Sequence, residues 1–250
     1  MNTISEFDLL TGQPFPIDGI GTFRAPKLKD LFSVTGIGLQ RYNLMLSLLS
    51  MDTEDFLRAV GLNESYESLT PDKKEQFTPF LLITAIKDYR DIFTDALDFF
   101  MVETAVFDAK SNNFVLLAQD GSIRGAVSEA NYDDLRVALL RANCLSIDSA
   151  VKPKKYKNKK AQYVYEKIAA AKKKQAAAHM DESLSIWNVA SSVSARHYSY
   201  NLLNIWDLTI YQLYDQFSKL NLNHQVDVGA LRWAAWGEDQ FDFSLWYKQT

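Results

Sequence analysis

Residues 152–174 hold ten lysines and a single glutamate, a local charge of +9 in a chain whose net charge is −4, so everything else together carries −13. Like charges at this density repel one another and hold their side chains in water. The lysines Lys152, Lys154, Lys155, Lys157, Lys159 and Lys160 flank Pro153 and make residues 147–160 an exposed linker. Residues 160–180, rich in alanine and lysine, predict a solvated helix that adds little to a core. Any packed structure must therefore be built from what lies on either side: a helical domain at 1–147 and an aromatic-rich module at 181–250, joined by 148–180.

The flanking parts have enough apolar material, since 47% of the 250 residues are hydrophobic. Near the N-terminus, two short apolar runs within residues 7–26 are separated by Gly and Pro, which predicts a small β-hairpin. Pro26 then suits a first helical turn, and Leu28, Leu31 and Phe32 follow at helical spacing, giving a helix over 27–33. Tyr42, Met45, Leu46 and Leu49 recur at i, i+3, i+4 and i+7, the stripe of an amphipathic helix. Asp52 is a suitable N-cap for the next helix and Gly61 its stop, while Thr70-Pro71 starts another. Residues 77–102 read as one long mixed helical stretch.

The period then changes. Residues 103–107 and 113–117 are short and rich in Val, Phe and Leu, with Asp120-Gly121 marking a further turn, so a two- or three-stranded antiparallel insert is expected. Ser128 or Asn131 caps a helix whose inward face is Leu135, Leu139, Ala142 and Cys144, which makes the lone cysteine a buried structural thiol. All five tryptophans, Trp187, Trp206, Trp233, Trp236 and Trp246, fall in the C-terminal module. There Trp206, Ile210, Leu213, Phe217 and Leu220 are spaced to share one face of a helix with Asn204 as N-cap. The predicted class is mainly α with a small antiparallel β component (α+β).

Catalytic patterns are sparse. His179, His197 and His224 lack the spacing that gathers imidazoles around a metal, and one cysteine cannot build a thiolate zinc site. The pairs Gly19-Ile-Gly21 and Gly36-Ile-Gly38 extend to no phosphate-binding loop. Asp88, Asp91, Asp95 and Asp98 align along a helix; such carboxylates can bind Mg²⁺ or move protons, but they also form an ordinary solvated face opposite Ile92, Phe93, Ala96, Leu97 and Phe100. The expectation is a non-enzymatic protein with no cofactor and no metal. Because residues 1–8 show no secretory pattern, no apolar run approaches the roughly 20 residues of a membrane span, and the single cysteine suits a reducing compartment, a soluble cytosolic protein is expected.

What remains is binding. Trp206, Ile210, Tyr211, Leu213, Tyr214 and Phe217 are the candidate partner-binding residues, either as simple core or as amphipathic aromatic surface of the kind enriched in hot spots. The lysine segment has three readings: a solubilising linker, a dock for an acidic protein surface, or a nucleic-acid tail with Tyr156, Tyr163 and Tyr165 available for stacking. No base-reading motif accompanies the last.

Residues 204–220, NIWDLTIYQLYDQFSKL, resemble a C-terminal element of the tail-assembly chaperones of bacteriophages that infect Gram-positive bacteria, encoded beside the tape-measure protein. Leu10-Thr-Gly-Gln-Pro14, Pro26-Lys-Leu-Lys-Asp-Leu31, Tyr132-Asp-Asp-Leu-Arg136 and the lysine-rich connector follow that family's order. The resemblance implies a chaperone in the host cytoplasm that binds the tape-measure protein and recruits tail-tube subunits, with no catalytic residue to carry over. The alternatives are a structural component of the virion (tail, neck or baseplate) and a nucleic-acid-binding protein acting through the basic arm.

Overall fold

The computed structural model of the chain describes residues 4–32, 36–74, 76–145 and 185–237, with 242, 244 and 247. The fold is mainly α with a small antiparallel β component, as the sequence predicts. It comprises two compact units, one of Met1–Ser146 with Trp206–Gln212 and one of Ile147–Ile205 with Leu213–Thr250.

In the first unit a helix, α1 (Glu6–Thr11), precedes the expected hairpin. Residues 7–10 are thus helical, a correction to their reading as part of the hairpin. The cause is local: Ser5 accepts a hydrogen bond from Asp8 N–H while the Asp8 carboxylate accepts one from Ser5 N–H, a reciprocal capping box. Gly12, at φ +63°, ends the helix in the left-handed conformation that glycine adopts without strain. The hairpin follows as β1 (Phe15–Ile17) and β2 (Gly21–Phe23), and then α2 (Leu28–Phe32).

Helix α3 (Leu39–Ser50) buries Tyr42, Met45, Leu46 and Leu49 as their spacing requires. Asp52 caps α4 (Thr53–Ala59) through Asp55 N–H, and the short α5 (Asn63–Glu67) and α6 (Pro71–Lys74) follow. The stretch from 77 to 102 is two helices rather than one, α7 (Pro79–Ala85) and α8 (Lys87–Phe100), because Ile86 is extended at φ −99°, ψ 116°. Cross-bonds hold this break: Arg90 donates to the Thr84 carbonyl and Asn112 to the Thr84 hydroxyl.

Strands β3 (Thr104–Asp108), β4 (Asn113–Leu117) and β5 (Ile123–Val127) form the antiparallel meander β3-β4-β5. Gly125 is required there, since a Cβ would sit 2.3 Å from the Ile20 carbonyl oxygen where the hairpin turn crosses the strand. Helix α9 (Tyr132–Ala142) buries Leu135, Leu139 and Ala142. Phe80, Phe93, Phe114 and Tyr132 form an aromatic cluster with ring centroids 4.9 to 6.1 Å apart, mostly edge to face, as their quadrupoles favour. Cys144 is exposed, which corrects its assignment to the buried face: α9 ends at Ala142, and Cys144, at φ +56°, no longer follows the helical repeat.

The second unit contains α10 (Ile186–Arg196), which buries Val189, Ala190 and Val193. A turn follows in which Asn204 accepts from Asn201 N–H and donates to the Ser199 carbonyl. A 3₁₀ turn at Ile205–Asp207 leads to α11 (Ile210–Trp236), whose 27 residues extend about 40 Å at the helical rise.

Candidate functional site

The six candidate partner-binding residues do not share one helical face. Trp206 belongs to the 3₁₀ turn and Thr209 pairs with Lys27 in an antiparallel bridge, so the α-helix begins only at Ile210. Asn204 is therefore not its N-cap, and Trp206 does not continue the stripe of Ile210, Leu213 and Phe217. The reason is a stronger start signal three residues before Gln212. Thr209 Oγ1 accepts from Gln212 N–H at 3.2 Å and Gln212 Oε1 accepts from Thr209 N–H at 3.0 Å, a Thr-x-x-Gln capping box that fixes the helix end. That motif is visible in the sequence and outranks Asn204 because two orphan donors are satisfied at once.

Residues 206–212 form a strap on the first unit. Leu28 N–H donates to the Leu208 carbonyl at 2.8 Å, Gln212 Nε2 donates to the Leu10 carbonyl at 2.8 Å, and Lys29 Nζ contacts Asp207 at 2.7 Å with Lys27 at 3.9 Å. Leu208 and Ile210 are buried, Trp206 and Tyr211 half-buried, and the Trp206 ring meets the edge of Phe32 at 6.1 Å. The Lys29 ammonium holds the Asp207 carboxyl below its ordinary range, chiefly through their hydrogen bond, and Asp207 in turn raises the lysine. Beneath the strap lies a cavity of about 10 Å³ lined by Leu9, Phe15, Phe23, Pro26, Asn143 and Ile210, room for about one water molecule.

Beyond the strap, Leu213 is buried and Tyr214 and Phe217 are half-buried. Further along α11 exposure rises: Val228 is 42% exposed, Leu231 71% and Trp236 70%. These apolar positions, outside the 206–217 set, escape a reading that looks for the most regular stripe, because the distal half of the helix has no polar face opposite an apolar one.

The remaining candidates separate into structural roles. Among the aspartates of α8, Asp91 pairs with Lys87, Asp95 with Arg41, and Asp98 accepts from Ala105 N–H at 2.7 Å, tying the helix to β3. Partial burial raises the Asp98 carboxyl above its ordinary value. His197 Nδ1 accepts from Ser199 and Tyr200 N–H, and His224 is exposed. Among the described residues no group of three or more His, Cys, Asp or Glu is placed to hold a metal ion, and no helix is long and apolar enough to cross a membrane. The basic arm, Lys152, Lys154, Lys155, Lys157, Lys159 and Lys160, and His179 lie outside the described residues.

Residues 172–250 match the family model of the YomV second domain, a phage-associated family. The match starts within the lysine segment and includes α10, the strap and α11. No curated protein and no solved structure matches the chain.

Proposed function

We propose that the chain is a non-enzymatic phage tail-assembly chaperone that binds the tape-measure protein and recruits tail-tube subunits in the host cytoplasm. The observation that carries this reading is the exposed apolar surface of distal α11, Val228, Leu231 and Trp236, lying inside the phage-associated match. Holding a long helical client soluble needs accessible apolar side chains along an extended support, engaged through several weak contacts. A helix of about 40 Å with unshielded Leu and Trp supplies such a support.

The test is co-expression with the tape-measure and tail-tube proteins of the same phage genome. Wild type should co-purify with the tape-measure protein, whereas Val228→Glu with Leu231→Glu should lose it while the chain remains folded. Trp206→Ala, by contrast, should loosen the strap. Recovery of neither client with wild type refutes the reading, and stoichiometric amounts of the protein in purified particles assign it to the virion instead.

A further inference from the structure

The strap is remote in sequence from the surface it covers: residues 147–205 intervene between the end of the first segment of that unit and Trp206. We infer that the surface formed by α1, α2 and the β1–β2 hairpin is a recognition groove for a short segment with the pattern acidic–apolar–x–apolar, and that a second copy of this chain can fill it with its own residues 206–212.

Three features make the groove a receptor as well as a seam. Its polar contacts suit an incoming segment: the Leu28 amide donates to the Leu208 carbonyl, the Leu10 carbonyl accepts from Gln212, and Lys27 pairs with Thr209 in an antiparallel bridge. Thr209 alone is bridged, between the 3₁₀ turn at Ile205–Asp207 and the first turn of α11, so the fit rests on these few polar contacts and on the side chains buried on either side of it. Those buried side chains are Leu208 and Ile210, 5% and 3% exposed. Charge is complementary, with Lys27 and Lys29 facing Asp207. Gly12 lies directly beneath the strap, where an added Cβ would meet the Thr209 methyl group at 3.2 Å as well as the movable end of Gln212.

Every copy carries both halves, so an exchanged contact repeats the same bonds as the closed one, the condition for domain swapping. The balance is set by concentration. The closed contact is intramolecular and does not depend on protein concentration, whereas the exchanged one is bimolecular, so dilute chains close on themselves and crowded ones exchange. The inference is independent of which client the protein serves.

The antiparallel bridge between Lys27 and Thr209 supplies the test, because paired residues in such a bridge lie within disulfide reach. In full-length chains carrying Cys144→Ser, the double variant Lys27→Cys/Thr209→Cys should close an intrachain disulfide, which establishes that the strap is seated. Two single variants, Lys27→Cys and Thr209→Cys, are then mixed, equilibrated and oxidised. The expected result is a mixed disulfide dimer several-fold above the statistical share relative to the two homodimers, the excess rising with protein concentration. Failure of the double variant to close, or mixed dimer at the statistical ratio at every concentration, overturns the inference.

Discussion

Arg136 is the most buried charge in the first unit for which the structure gives a reason, and replacing it is a quantitative test of that reason. It lies on α9, 8% exposed, and its guanidinium spans the C-terminus of α3: Nε donates to the Leu49 carbonyl at 2.5 Å, and one terminal nitrogen donates to those of Ser50 and Met51 at 3.2 and 3.0 Å. A helix leaves its last carbonyls without intrahelical partners, and a cation there also meets the negative end of the helix dipole. The three acceptors are unequal. Ser50 is exposed and Met51 half-buried, so water can replace the guanidinium at both, whereas Leu49 is fully buried. In Arg136→Met, similar in length and apolar, the cost is then one orphaned buried carbonyl, about 1 to 3 kcal/mol, plus loss of a partly buried charge at a helix end, up to about 2 kcal/mol. The expected destabilisation is about 3 kcal/mol. Arg136→Lys keeps the charge but not the fork and should cost roughly half as much. Urea titration followed by far-ultraviolet circular dichroism measures both, read as a lower midpoint at unchanged slope. A loss below about 0.5 kcal/mol for Arg136→Met, the range of ordinary surface substitutions, would refute the capping argument.

Two buried tyrosines make opposite predictions for the same chemical change. The Tyr132 hydroxyl is buried with no hydrogen-bond partner, and desolvation raises its pKa well above that of a free phenol, so Tyr132→Phe should stabilise the protein by about 1 kcal/mol. The Tyr42 hydroxyl donates to Asn143 Oδ1 at 2.6 Å, and Tyr42→Phe should destabilise by about 1 to 2 kcal/mol; equal signs in thermal melts would show the hydroxyl environments to be misread. Asp98 has a folded pKa raised by burial, so the native state holds its proton more tightly than the unfolded chain does. Stability should therefore fall as pH rises from below the ordinary carboxylate value through the raised one. Asp98→Asn keeps an acceptor for Ala105 and should flatten that slope; an unchanged pH profile argues against the assignment.

Much of the fold is local enough to be read from the chain. The stripe Tyr42, Met45, Leu46 and Leu49 predicts α3, and the spacing of apolar runs around Asp120-Gly121 predicts the meander β3-β4-β5. Some misses were also legible, since Ser5 with Asp8 and Thr209 with Gln212 are capping pairs whose signal lies in two residues rather than in a periodic stripe. Others were not. The break at Ile86 is held by Arg90 and Asn112, the latter 28 positions from its partner Thr84, and hydrophobic periodicity carries no information about such contacts. For the candidate segment 204–220 the geometry was not legible in the sequence. Its regular 4,3,4,3 spacing made one helix the simplest account, and only the pairing of Lys27 with Thr209 and of Leu28 with Leu208 shows that residues 206–209 lie outside that α-helix and serve the N-terminal unit.

Because that strap completes the first unit, the ribosome cannot finish this unit when residue 146 emerges. Another 66 residues, 147–212, must be made first, which takes roughly 3 to 13 s at about 5 to 20 residues per second. Throughout that interval the surface around Leu9, Phe15, Phe23 and Leu28 waits without Leu208 and Ile210. On a crowded polysome the first strap to arrive need not be the one on the same chain, so the order of synthesis, and not only the final equilibrium, decides whether copies leave the ribosome alone or joined.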